Sequence, residues 1–290
     1  MDVWENNPLV RKPPFPRRSP LRVGYTRAIC EANGRRGHFM QGMLFDICSN
    51  IGELITPNDI RPHIKLTEKE MDPRSAPLRP GYWIVMPGGK TDFPLKMWSL
   101  ENYLSVCRTL ASDGIRIVQC GGVGGRNITR RLPGVYDLTG KTTFREFLVA
   151  VYHSAGVICP VTSGMHAAAA FNRPCVVIAG GREPWWWEAY TKTVWRDATG
   201  HEPPDDFVPH RFIHSIGSLP CCRRGGCWNT GFEGRRACVD IVSRGEKKQP
   251  RCLDKIVPYF VVSAVRAYLN GDPVIEDEFP PDLAPSLLTR

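Results

Sequence analysis

The chain has 290 residues, 42% hydrophobic and 23% charged, and its 38 Lys and Arg against 29 Asp and Glu give a formal charge of +9. This is room for one large or two modest domains with a real core, and the charge favours anionic partners (nucleotide, nucleic acid or acidic glycan) without choosing among them. No apolar run approaches the roughly 18 residues of a membrane helix, and residues 1–20 lack the apolar stretch of a secretory signal, so a cytoplasmic protein is expected.

Residues 1–20 are rich in Pro and Arg and read as extended or mobile chain. A short strand is expected at 21–25 and a helix at 39–54, followed by a Pro-rich connector over 58–80. A regular alternation then begins: strand 82–86, the turn Pro87-Gly88-Gly89, a helix from the cap Ser99 to Ser112, and strand 115–120. A Gly-rich, basic loop over 121–131 precedes a short strand at 135–138. Thr142 or Thr143 caps a helix that runs to Ser154.

The most telling window follows. An apolar run, 157–161, leads into the polar turn Thr162-Ser163-Gly164-Met165-His166, a short helix over 167–171, and the stop Asn172-Arg173-Pro174. A second apolar run, 175–179, ends in Gly180-Gly181. Both runs are continuously apolar, as strands buried on both faces of a parallel sheet are. The whole pattern is α/β: a Rossmann-like, doubly wound parallel sheet. The polar turn falls at the carboxyl edge of that sheet, where open α/β sheets bind ligands and a helix start offers free N–H groups to phosphate.

Beyond Trp187 the texture changes. Residues 196–250 show little periodicity, a helix is expected over 253–269, and the acidic tail 272–290 reads as a surface extension. The expected organisation is therefore 1–80 as an amino-terminal segment with its connector, 81–200 as a Rossmann-like domain, 201–252 as a Cys-rich finger, and 253–290 as terminal helix and tail.

Eleven cysteines without a secretory signal point to reduced thiols or metal ligands rather than disulfides. Five of them, Cys221, Cys222, Cys227, Cys238 and Cys252, crowd into a segment with few apolar residues. A tetrahedral ion would supply the folding energy that such a segment lacks, and soft thiolates select zinc or iron. Cys222, Cys227, Cys238 and Cys252 are the expected ligands, with Cys221 as the alternate to Cys222. Other motifs are weaker. Gly88-Gly89-Lys90-Thr91 fails as a Walker loop, because Ile84 stands where the first glycine belongs. Lys96, just before the cap Ser99, can reach a diphosphate as a point charge or be solvated. His166 reads equally as a structural histidine or a ligand contact. Trp185-Trp186-Trp187 suits core or interface better than stacking on a base.

Together these residues resemble the carboxyl-terminal half of the glycosyltransferase family 9 proteins, the ADP-heptose:lipopolysaccharide heptosyltransferases and their relatives. The resemblance rests on residues 82–89, on Lys96-x-Trp98, on Leu138-Thr139-Gly140-Lys141-Thr142, on Thr162 to Ala168, and on Arg173-Pro174 through Gly180. The Cys cluster is similar to the iron-binding finger of autotransporter heptosyltransferases.

The resemblance implies a GT-B architecture, in which two Rossmann-like domains enclose the active site and the carboxyl-terminal one holds the nucleotide sugar. It implies Lys96 on the diphosphate, residues Thr162, Ser163, Gly164, Met165 and His166 along phosphate and sugar, and Gly180 and Gly181 close to the nucleotide. It implies an ADP-sugar donor, inversion at the anomeric carbon, no metal at the transfer centre, and a purely structural ion, iron or zinc, on the cysteines.

Three departures are visible. Val161 stands where the family has Asp and Ser163 where it has Gly. No acidic residue near Arg126 and Asn127 matches the one that holds the ribose. No G-L-G-D-type segment supplies an acceptor site or a base. The expectation is a sugar transferase, truncated or inactive, that needs a partner chain or a second copy for its missing half. The acceptor, a glycan, a protein or another hydroxyl, is left open. The rival reading is a non-catalytic module whose basic surface and Cys finger hold an anionic polymer or a partner protein.

Overall fold

The computed structural model describes residues 24, 37–244, 247–275 and 277–278. The strand expected at 21–25, apart from Gly24, the extended chain 1–20 and the end of the acidic tail lie outside the described residues.

The first described helix, α1 (Phe39–Ile51), opens with a capping box: the His38 side chain takes the first-turn backbone while Gln41 reaches back. Gly52, in the left-handed region at φ 75°, stops it. The connector carries the single turn α2 (Glu68–Met71), held by a Thr67–Glu70 capping box. Arg145 clamps the same Glu70 at 2.6 Å, tying the connector to the main domain.

Then come β1 (Trp83–Val85), β2 (Gly89–Lys90), α3 (Leu100–Ser112), β3 (Ile117–Gln119), β4 (Asn127–Ile128), β5 (Tyr136–Asp137), α4 (Phe144–Tyr152) and β6 (Gly156–Pro160). They are followed by α5 (Ser163–Ala170), β7 (Cys175–Gly180), α6 (Lys192–Thr199) and β8 (Arg211–His214). The remainder is β9 (Ile241–Arg244), β10 (Lys247–Pro250), α7 (Arg251–Asp254), α8 (Pro258–Asn270) and β11 (Asp277–Glu278).

Seven strands form one parallel sheet in the order β11-β8-β7-β6-β1-β3-β5. Apart from the edge strand β11, counting strands along the chain gives 3-2-1-4-5-6, the doubly wound order with its reversal between β1 and β6. Alternate side chains serve the two faces. Ile84, Val157 and Val177 join α4, α5 and α6 in one core, while Val85, Ile158 and Val176 join α3 and α8 in the other. Every residue of β1, β6 and β7 is buried, which is why these strands carry no alternation in sequence.

Four differences from the sequence reading have physical causes. The sheet does not end near residue 200: β8 continues it inside the Cys-rich stretch, unreadable because Arg211 and His214 are buried polar residues flanking only two apolar ones. The tail is not wholly a surface extension, since β11 pairs in parallel with β8. The loop 121–131 contains β4, which pairs antiparallel with β2. A side chain at Gly88 would stand 2.6 Å from the Ile128 carbonyl, so only glycine allows that approach. The helix expected over 253–269 is two helices, broken before Pro258, which opens α8. Among the described residues no helix is long and apolar enough to cross a membrane.

Candidate donor site at the reversal of the sheet

In a doubly wound sheet the two chains leaving the strands at the reversal diverge to opposite faces and leave a crevice at the carboxyl edge. Here that crevice separates the ends of β1 and β6. It holds a cavity of about 190 Å³, lined among others by Gly88, Phe93, Lys96, Thr139, Thr162 and Ser163. One wall is the 3-10 turn Pro94–Lys96. The other is the start of α5.

Lys96 and the start of α5 meet here. Lys96 Nζ donates to the Val161 carbonyl at 3.4 Å. Thr162 makes no side-chain cap to α5; its hydroxyl bonds back to Pro160 O at 3.3 Å. Met165 N donates to the Thr162 carbonyl at 3.1 Å, and among the described residues Thr162 gives the other first-turn N–H groups of α5 no side-chain cap, the arrangement that receives anions. A side chain at Gly164 would collide with Met86 Sδ, so glycine lets α5 begin this close to the end of β1. Its role is that close approach, and Ser163 is the exposed residue of the turn.

The expectation for Met165 is corrected: it is fully buried in the core beneath α5, because the turn is already helix and its third residue faces the sheet. His166 lies one step round, with Nδ1 2.7 Å from the Tyr190 hydroxyl. Burial, and then the nearby Lys96 charge, lower its pKa to about 4, so it is neutral at pH 7.

Gly180 and Gly181 do not join the crevice. Gly180 has φ 65°, and a Cβ there would stand 2.8 Å from Leu253. A Cβ on Gly181 would meet Cys252 at 3.1 Å and Cys222 Sγ at 3.2 Å. Both glycines let the Cys-rich segment and α7 press on the end of β7.

The cysteines divide differently from the expectation. Cys221, Cys227, Cys238 and Cys252 line one cavity of about 10 Å³, roughly the space of a single water. Cys222 is the corrected residue: its thiol is turned to the carbonyls of Leu219, at 3.4 Å, and Ser215, at 3.5 Å. Burial raises the Cys221 pKa to about 11 and that of Cys252 to about 12, so both stand here as thiols. Among the described residues no three His, Cys, Asp or Glu side chains form a ready ligand set. Trp187 is buried, and Trp185 and Trp186 pack against the core.

Sequence reasoning missed the charges behind Lys96. Glu183 Oε1 lies 2.8 Å from Lys96 Nζ, with both side chains largely shielded from water. Arg182 pairs with the same carboxylate. Nearby Glu188 is pushed up to about 7 by burial, which outweighs the opposing pull of Lys96. The available signal was position: a charged pair directly after the Gly-Gly that ends a buried strand sits at the edge where ligands bind.

The family model described as Glycosyltransferase family 9 (heptosyltransferase) matches residues 55–203, just over half of the chain. No curated protein sequence matches it. A family 9 glycosyl transferase from Veillonella parvula is similar in structure, with 15% identity and a TM-score of 0.52 over 81% of this chain and 61% of that one. ADP-heptose LPS heptosyltransferase II of E. coli gives 16% and 0.45 over 72% and 54%. The iron-containing dodecameric TibC of enterotoxigenic E. coli H10407, in complex with ADP-D-beta-D-heptose, gives 15% and 0.46 over 82% and 55%. At these identities the likeness is one of fold. The chain spans 54–61% of the length of these structures.

Proposed function

The chain belongs to glycosyltransferase family 9, the heptosyltransferases, and from that premise we propose that the crevice between β1 and β6 binds the nucleotide-sugar donor, an ADP-sugar, for transfer of a heptose or related sugar to an acceptor hydroxyl. The observation that carries this reading is the meeting of Lys96 with the uncapped start of α5 at the reversal of the sheet. In the reaction the bond from the anomeric carbon to the diphosphate breaks as the acceptor oxygen attacks from the opposite side. Negative charge then grows on the diphosphate. On this reading Lys96 and the first-turn N–H groups of α5 stabilise it, with the hydroxyls of Thr162 and Ser163 as further donors. His166, neutral and bonded to Tyr190, steadies α5 without adding charge. The acceptor hydroxyl and the base that takes its proton come, on this reading, from residues outside the crevice, on a partner chain or a second copy.

The same reading assigns a structural ion to Cys221, Cys227, Cys238 and Cys252. What supports it is the donor chemistry of four thiols around one small cavity. Thiolates suit zinc or iron and would have to draw together and lose their protons to bind it. When bound, such an ion ties loops and takes no part in transfer.

The test is titration of the full chain with ADP and an ADP-sugar. Saturable binding is expected, weakened about 10- to 100-fold by Lys96→Ala, the usual worth of a hydrogen bond to a charged group. A metal-loaded protein that binds neither ligand would refute the reading.

A further inference from the structure

The lysine of the donor crevice already has an anionic partner. Lys96 Nζ stands 2.8 Å from Glu183 Oε1, with the two side chains 17% and 9% exposed. The same carboxylate pairs with Arg182. Both cations lie over the Phe93 ring, Arg182 at 4.7 Å and Lys96 at 5.4 Å from its centroid.

The two cations differ in freedom. Arg182 is pinned by the Cys-rich segment: its Nε donates to Asn229 O at 2.6 Å, and its own carbonyl accepts from Trp228 N at 3.0 Å. A side chain at Gly226 would stand 2.8 Å from that carbonyl, so the two strands of chain are in close contact. Lys96 instead ends a flexible four-carbon stem, and the residue lines the crevice.

A phosphate arriving at Lys96 therefore meets a carboxylate of its own sign. Like charges a few ångströms apart in a partly dry site repel strongly. The carboxylate must give way, and Arg182 offers it somewhere to stay.

We propose that Glu183 is a resident counter-anion for the crevice: it holds Lys96 in place before the donor binds, and a nucleoside diphosphate takes Nζ from it, leaving Glu183 on Arg182. This rests on the donor-site reading above and adds a selection rule to it. Only a ligand with more than one negative charge gains from the exchange, so simple monoanions are turned away while a diphosphate is accepted. Glu183 is a positioning residue and touches no reacting atom.

Calorimetric titration of the full chain with ADP, and with inorganic phosphate at a mildly acidic pH where it is the monoanion, tests it. Glu183→Gln frees Lys96 from its ion pair, while Arg182 stays held by Asn229 outside the crevice lining and the Glu188 carboxyl remains beside both cations. It is expected to tighten ADP about tenfold, to steepen the loss of affinity with salt, and to open the crevice to inorganic phosphate. Glu183→Asp, which keeps the charge, stays near wild type. In a Lys96→Ala background Glu183→Gln changes nothing, the coupling that a merely structural role would not produce. Near-ultraviolet circular dichroism checks that each variant is folded. A folded Glu183→Gln that binds ADP no more tightly than wild type, or a gain that persists without Lys96, overturns the proposal. If ADP binds wild type and is lost in Lys96→Ala while Glu183→Gln is silent, only this inference fails. If no form of the protein binds ADP, the donor-site reading fails and this inference with it.

Discussion

Replacing Glu188 by glutamine should stabilise the protein above neutral pH and leave its stability unchanged near pH 4. Burial raises this carboxyl to about 7, Lys96 and Arg182 pull against that rise, and Glu183 adds to it. The folded state therefore keeps the proton over a range in which the unfolded chain, at its ordinary value of 4.5, has released it. Below 4.5 both states are protonated and nothing is lost. As pH climbs from 4.5 to about 7 the unfolded state gains from ionisation and the folded state does not, so stability falls across that window and is flat above it. At 1.36 kcal/mol per tenfold change in proton affinity, the loss is at most about 3 kcal/mol, and residual solvent contact brings it nearer to about 2. Glutamine has the shape of the protonated acid and should recover this amount at pH 8. Urea unfolding of wild type and Glu188→Gln at pH 4, 6 and 8 measures it. A difference between the two proteins that is the same at all three values would refute the reasoning, because the effect must come from ionisation and not from packing.

Four further outcomes are expected. Lys96→Ala should weaken ADP binding more at low than at high salt, read by calorimetry, since what it removes is a charge contact. Cys227→Ser and Cys221→Ser should strip metal from the purified protein in elemental analysis, whereas Cys222→Ser, whose thiol faces carbonyls, should keep it. Gly226→Ala forces a side chain into φ 122° and against the Arg182 carbonyl at 2.8 Å, which should lower stability by about 1–3 kcal/mol in denaturant titration. Burial lowers His38 and His210 to about 3 and His166 and His214 to about 4. These imidazoles should show no protonation by NMR above pH 5, and their contribution to stability should fall as pH drops below 6.5, because only the unfolded chain then takes up protons.

The sequence alone determined the alternation of elements, the class of sheet and the crevice. Those features are local. A buried strand shows as five or six apolar residues, a helix start as Thr143 followed by Glu146, a stop as Asn172-Arg173-Pro174, and each can be read within one or two turns of chain. The ordered motifs also placed Lys96 and Thr162 together, because both follow strands that must end on the same edge of a parallel sheet.

The tertiary structure decided what depends on distant chain crossing that edge. Lys96 reaches Val161 across 65 residues, and Trp98 donates to Ile256 across 158. No local period records which carboxylate arrives beside Lys96, so Val161 could be read as a missing acid while Glu183, from the loop after β7, went unseen. The choice of Cys221 over Cys222 is of the same kind. Adjacent residues in a 3-10 turn point apart, and only the packing of Cys222 against Gly181 and the carbonyls of Leu219 and Ser215 decides which thiol faces the cavity. Gly180 and Gly181 mark the end of a strand in the sequence. That they give room to the Cys-rich segment follows from where Cys252 and Leu253 return to the sheet.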